Sequence, residues 1–74
     1  MMINEIELRE NRRRIGQRIE QLRKQKNLTA DQLGALSELN QQNVSRIEKG
    51  RYSTGIDIYY KISKALEVEL KELF

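Results

Sequence analysis

The sequence predicts an all-α domain of five short helices. Three observations point there. Apolar residues recur at helical spacing and show no strand-like alternation. The 74 residues contain no proline. Helix-capping residues stand at the breaks between the apolar segments. The first helix is expected over about Asn11–Lys26, where Ile15, Ile19 and Leu22 step by four and three and line one face. Asn27 is its stop. Thr29 caps a second helix, and Gln32 three residues on completes a capping-box pattern; this helix runs to about Leu36 or Ser37. Asn40 caps a third helix, Gln41–Lys49, which Gly50 ends in the left-handed conformation that glycine adopts cheaply. Arg51 to Gly55 is a loop. A fourth helix follows over about Ile56–Leu66, with Ile56, Tyr59, Ile62, Ala65 and Leu66 turned inward. A fifth, about Glu69–Leu73, closes the domain with Val68, Leu70, Leu73 and Phe74. Residues 1–10 read as an N-terminal extension to a domain spanning 11–74. Ile3, Ile6 and Leu8 would lengthen the first helix, pack on a partner, or fray.

Composition narrows the chemistry. With no cysteine and no histidine there is no disulfide, no Cys/His zinc site and no histidine base. No glycine-rich phosphate loop or nucleophile motif occurs, and Asp57, Glu67, Glu69 and Glu72 read as helix caps and faces, so the chain is not read as an enzyme. No cofactor is expected. No apolar run is long enough to cross a bilayer, which with the missing cysteines fits a cytoplasmic protein without a membrane partner. The net charge of +3 is modest but unevenly placed. Residues 9–27 carry eight cations against two acids, whereas residues 57–74 carry three lysines against four acids. Such asymmetry suits a domain that docks one face on phosphate, although a solvated arginine-rich helix face would look the same.

The densest chemistry lies at the third helix. Asn40, Gln41, Gln42 and Asn43 stand in a row, followed by Ser45, Arg46 and Lys49. Leu28, Leu33, Leu39, Val44 and Ile47 are spaced to hold this helix on a core, which turns the polar face outward. Amides and an arginine at the front of a helix can read base edges in a major groove.

Three segments together resemble the phage-repressor/Cro-type (XRE family) helix-turn-helix domain. They are IGQRIEQLRKQKNLT, QQNVSRIEKGRY and YYKISKALEVELKELF, in that order. The resemblance covers about Ile15–Phe74. It implies a lambda-repressor-like five-helix bundle that binds double-stranded DNA, usually as a homodimer on a near-palindromic operator. By residue-wise match, Gln41 and Gln42 would touch base edges. Arg46, one turn beyond Gln42, would share that face, and Asn43 and Ser45 would add contacts. Thr29, Gln32, Asn40, Lys49, Arg51 and Tyr52 would lie along the phosphate backbone, with Tyr52 equally suited to packing over the core. Arg23 and Glu48 match a recurrent structural ion pair of the family. The implied function is sequence-specific transcriptional regulation, read as repression. The alternative is an antitoxin-like module that binds both a toxin and DNA, for which only residues 1–10 are available.

Departures from the family pattern are local. Ala30 replaces a frequent phosphate-clamping glutamine. Glu38 and Glu67 stand at common turn-glycine positions, where a positive φ would cost a glutamate about 1 kcal/mol more than glycine. Leu36, Ile58 and Tyr60 are apolar where relatives are usually polar. They read either as ordinary surface residues or, with Ile3 and Ile6, as a dimer surface.

Overall fold

A computed structural model describes residues 2–52 and 54–74; Met1, and Ser53 within the expected loop, lie outside the described residues. Four α-helices follow in order: α1 (Glu5–Gln25), α2 (Ala30–Leu36), α3 (Gln41–Glu48) and α4 (Ile56–Ala65), then a single 3-10 turn at Leu70–Leu73. The expected fifth α-helix is therefore corrected to one tighter turn. Its Glu72 carboxylate accepts from the Glu69 N–H at 2.8 Å, and a segment of four residues has no room for an α-helical ladder.

The largest difference from expectation is the start of α1. It begins at Glu5, not near Asn11, so most of the presumed extension continues the helix. The cause is local. The Asn4 side chain accepts from the Glu7 N–H at 2.8 Å, and Glu5 and Glu7 place negative charge at the positive end of the helix dipole. Ile3 and Ile6 nevertheless stay exposed. At the other end Asn27 takes φ 59° and reverses the chain.

Helix α2 starts with a full capping box. The Thr29 hydroxyl accepts from Gln32 N–H at 3.0 Å, and the Gln32 side-chain oxygen accepts from Thr29 N–H at 2.8 Å. Glu38 turns the chain at φ 60°, and Asn40 then caps α3 by accepting from Asn43 N–H at 2.7 Å. Helix α3 closes at Gly50, φ 70°. Glu67, after α4, takes φ 59°. Both glutamates thus occupy the backbone region that favours glycine.

One core joins the helices: Ile19 and Leu22 of α1, Leu33 of α2, Val44 and Ile47 of α3, Ile62 and Leu66 at α4, and Leu73. Leu28, Leu39, Tyr59, Ala65, Val68 and Leu70 pack partly buried around it. Two residues expected inside are not. Ile56, the first residue of α4, is 57 % exposed. Phe74 is also mostly exposed and meets Tyr59 edge-on, the ring centroids 5.7 Å apart. Burial pushes the Tyr59 phenol pKa up, against the opposing field of Arg12.

Helix α1 crosses the C-terminal end of α3 at Gly16. A side chain there would meet the carbonyl oxygens of Ile47 and Glu48, so only glycine permits this approach. The crossing fixes where the end of α3 sits relative to the arginines of α1.

Candidate nucleic-acid interface

Helix α3 is anchored by one face and free on the other. Val44, Ile47 and Glu48 are buried; Gln41, Gln42 and Arg46 are exposed, and Asn43 and Ser45 are half-buried. Among the described residues, the Gln41, Gln42 and Arg46 side chains form no hydrogen bond or ion pair within the protein. Their donors and acceptors are open to an external partner.

The capping residues keep a spare valence. Asn40 and Gln32 each use a side-chain oxygen as a cap acceptor, which leaves both amide NH₂ groups free to donate. Thr29, Gln32 and Asn40 are exposed at the front of α2 and α3. Beyond the far end of α3 stand Lys49, Arg51 and Tyr52, also exposed; Tyr52 at 40 % is not a buried core aromatic.

What holds α3 in this attitude is Arg23. Its Nε donates to Glu48 Oε2 at 2.7 Å, and one terminal nitrogen donates to Oε1 at 3.0 Å. The other donates to the Leu28 carbonyl at 2.9 Å. One guanidinium thus ties α1, the entry to α2 and the last turn of α3. The hydrogen bonds that Arg23 donates to Glu48 raise the arginine's pKa above its ordinary value despite burial, so the guanidinium stays charged at physiological pH. With its fork committed, Arg23 is not offered to a phosphate.

The other arginines of α1 separate into two sets. Arg18 donates to the Glu72 carbonyl at 3.0 Å and to Gln21 at 3.2 Å, fastening the C-terminal turn, while Arg14 donates to Asn11 at 3.0 Å. Arg9, Arg12 and Arg13 instead line a groove of about 670 Å³, whose opposite rim carries Lys49 and Arg51. Sequence reading placed Arg9 within a basic run but not in a site. Its spacing of three and four from Arg12 and Arg13 puts the three on one helix face, and that was the available signal.

Among the described residues no cluster of acids suits a metal ion, and no helix is long and apolar enough to cross a membrane.

A family model described as helix-turn-helix matches residues 19–73. The chain is 34 % identical over 62 residues to y4dJ of Sinorhizobium fredii, named as an HTH-type transcriptional regulator, covering 84 % of this chain and 80 % of that protein. Among solved structures it is similar to the restriction-modification controller protein C.AhdI from Aeromonas hydrophila. The TM-score is 0.85 at 33 % identity, covering 86 % of this chain and 97 % of that one. An HTH_3 family transcriptional regulator from Vibrio cholerae superposes with a TM-score of 0.80 at 27 % identity, covering 85 % of this chain and 35 % of the other.

Proposed function

The chain belongs to the helix-turn-helix family of DNA-binding transcriptional regulators, and from that premise we propose that it is a repressor that reads a near-palindromic operator as a homodimer through α3. The carrying observation is the unengaged row of Gln41, Gln42 and Arg46 on a helix whose opposite face is locked into the core. A glutamine amide matches adenine N6 and N7, and a guanidinium matches guanine O6 and N7. Each well-made pair contributes roughly 1–3 kcal/mol of discrimination. Asn43 and Ser45 add contacts at the edge of this surface. Thr29, Gln32, Asn40, Lys49, Arg51 and Tyr52 meet phosphate, which sets register without reading sequence. The protein would act in the cytoplasm without a cofactor, and the family is a non-enzymatic kind. Nothing favours the toxin-binding alternative: of residues 1–10, on which it depends, 5–10 form the first turns of α1.

Selection of bound sequences from a random duplex pool at moderate salt tests this reading. The expected product is a near-palindrome with half-sites about one helical turn (~10 bp) apart. Gln42→Ala should then weaken the selected site far more than random DNA, while Arg51→Ala weakens both alike. Binding without any sequence enrichment, or equal losses from both variants, would remove the assigned roles.

A further inference from the structure

The groove between α1 and the end of α3 holds five cations, Arg9, Arg12, Arg13, Lys49 and Arg51, and among the described residues none has an acidic partner within 4.0 Å. The two acids on its lining, Glu20 and Glu48, both lie against Arg23, at 3.9 and 2.7 Å. The carbonyl end of α3 is capped where it meets the groove: Gly50 N–H donates to Ile47 at 3.0 Å and Arg51 N–H to Arg46 at 2.9 Å. The groove is thus a concave, uncompensated positive surface.

Its position relative to α3 identifies its occupant. From Gln41 to Lys49 the helix advances about 12 Å, which is about the width of a B-DNA major groove. With the amides at the base edges, Lys49 and Gly50 arrive at the groove wall, where the phosphates are. Arg13 is brought to that wall because its backbone packs directly on Gly50. Arg12 shares this contact with Gly50, and Arg9 continues the same surface one turn earlier in α1. All three arginines lie outside the segment that the family model matches, residues 19–73.

We propose that this groove seats the phosphodiester backbone flanking each half-site, so that the N-terminal half of α1 is a second DNA-binding element that adds affinity without sequence preference. The proposal rests on α3 being the base-reading helix.

The test is salt-dependent binding of the selected duplex, prepared both trimmed to its half-sites and with ~10 bp of flank on each side. If the three arginines neutralise about two phosphates, Arg9→Ser/Arg12→Ser/Arg13→Ser lowers the slope of log K against log salt by about 1.8. At about 0.15 M salt it weakens binding to the flanked duplex about 30-fold. Base preference and the thermal midpoint stay unchanged, and the wild-type advantage of flanked over trimmed DNA disappears. Arg12 also lies beside Tyr59. The pair Arg9→Ser/Arg13→Ser therefore serves if the triple variant melts early, with a slope change of about 0.9–1.8.

An unchanged slope in a folded variant, with wild type still binding its selected site, overturns the proposal and leaves the base-reading role intact. Wild type that never prefers a sequence overturns that role first. Tripolyphosphate binding that the variant loses, with the DNA slope unaltered, makes the groove a small-anion site and also overturns the proposal.

Discussion

Gly16→Ala offers a sharp test of the packing, because local preference and tertiary contact predict opposite signs. Gly16 is in the interior of a 21-residue helix. There alanine should be better by about 1 kcal/mol on helix propensity alone. The structure argues otherwise. A Cβ at this position would stand 2.5 Å from the Glu48 carbonyl oxygen and 2.8 Å from its carbon, with Ile47 O also in the way, where ordinary contact begins near 3.4 Å. These obstacles are main-chain atoms in the last turn of α3, so no rotamer change clears them. The helices must part by roughly 1 Å, and overpacking of this kind costs about 1–3 kcal/mol. With rigid neighbours we take the upper part of that range. After the propensity gain, a net loss of about 1–2 kcal/mol remains, or roughly 4–16 °C in the midpoint for a domain of this size. Heat and urea melts followed by far-UV circular dichroism measure it. A midpoint equal to or above wild type would refute the argument, and with it the claim that α1 and α3 meet through backbone at Gly16.

Other substitutions probe single contacts. Glu48→Ala leaves the Arg23 guanidinium without its bidentate partner in a site where both side chains are at most 12 % exposed, and should cost about 3–5 kcal/mol in urea melts. A loss under 1 kcal/mol would mean the pair behaves as a surface bridge. The Ser37 hydroxyl is buried with no protein partner among the described residues, so Ser37→Ala should be neutral or raise stability by up to about 1 kcal/mol. A clear drop in midpoint would show that the hydroxyl is bonded after all. Glu67→Gly relieves a positive φ worth about 1–2 kcal/mol. Against this stand about 0.4–1 kcal/mol of extra chain entropy in the unfolded state and the small contribution of an exposed 3.9 Å bridge to Lys26. A gain of roughly 0.5 kcal/mol by thermal melting is expected, and a loss would show that the bridge outweighs the strain.

Features that neighbouring residues make among themselves are legible in the sequence. The Thr29–Gln32 box, the Asn40 cap and the Gly50 stop bracket α2 and α3, because each depends on groups three or four positions apart. The same holds for the inward Leu33, Val44, Ile47 and Ile62 and the outward amides, since helical period alone assigns their faces. The cap at Asn4 was equally local, but it opens a charged stretch with no core-facing period, so the true start of α1 was legible only as one option among three. Ile56 lies on the inward face by period yet is exposed, because periodicity names a face, not whether the core reaches the end of the helix; Phe74, past the last turn, has no period to place it. The rest depends on contacts between segments far apart in the chain. The Arg23 fork depends on Leu28 and Glu48 meeting it in space. The arginine groove joins residues 9–13 to residues 49–51. No local rule links those segments; they meet because Gly16 lets the backbones of α1 and α3 come together.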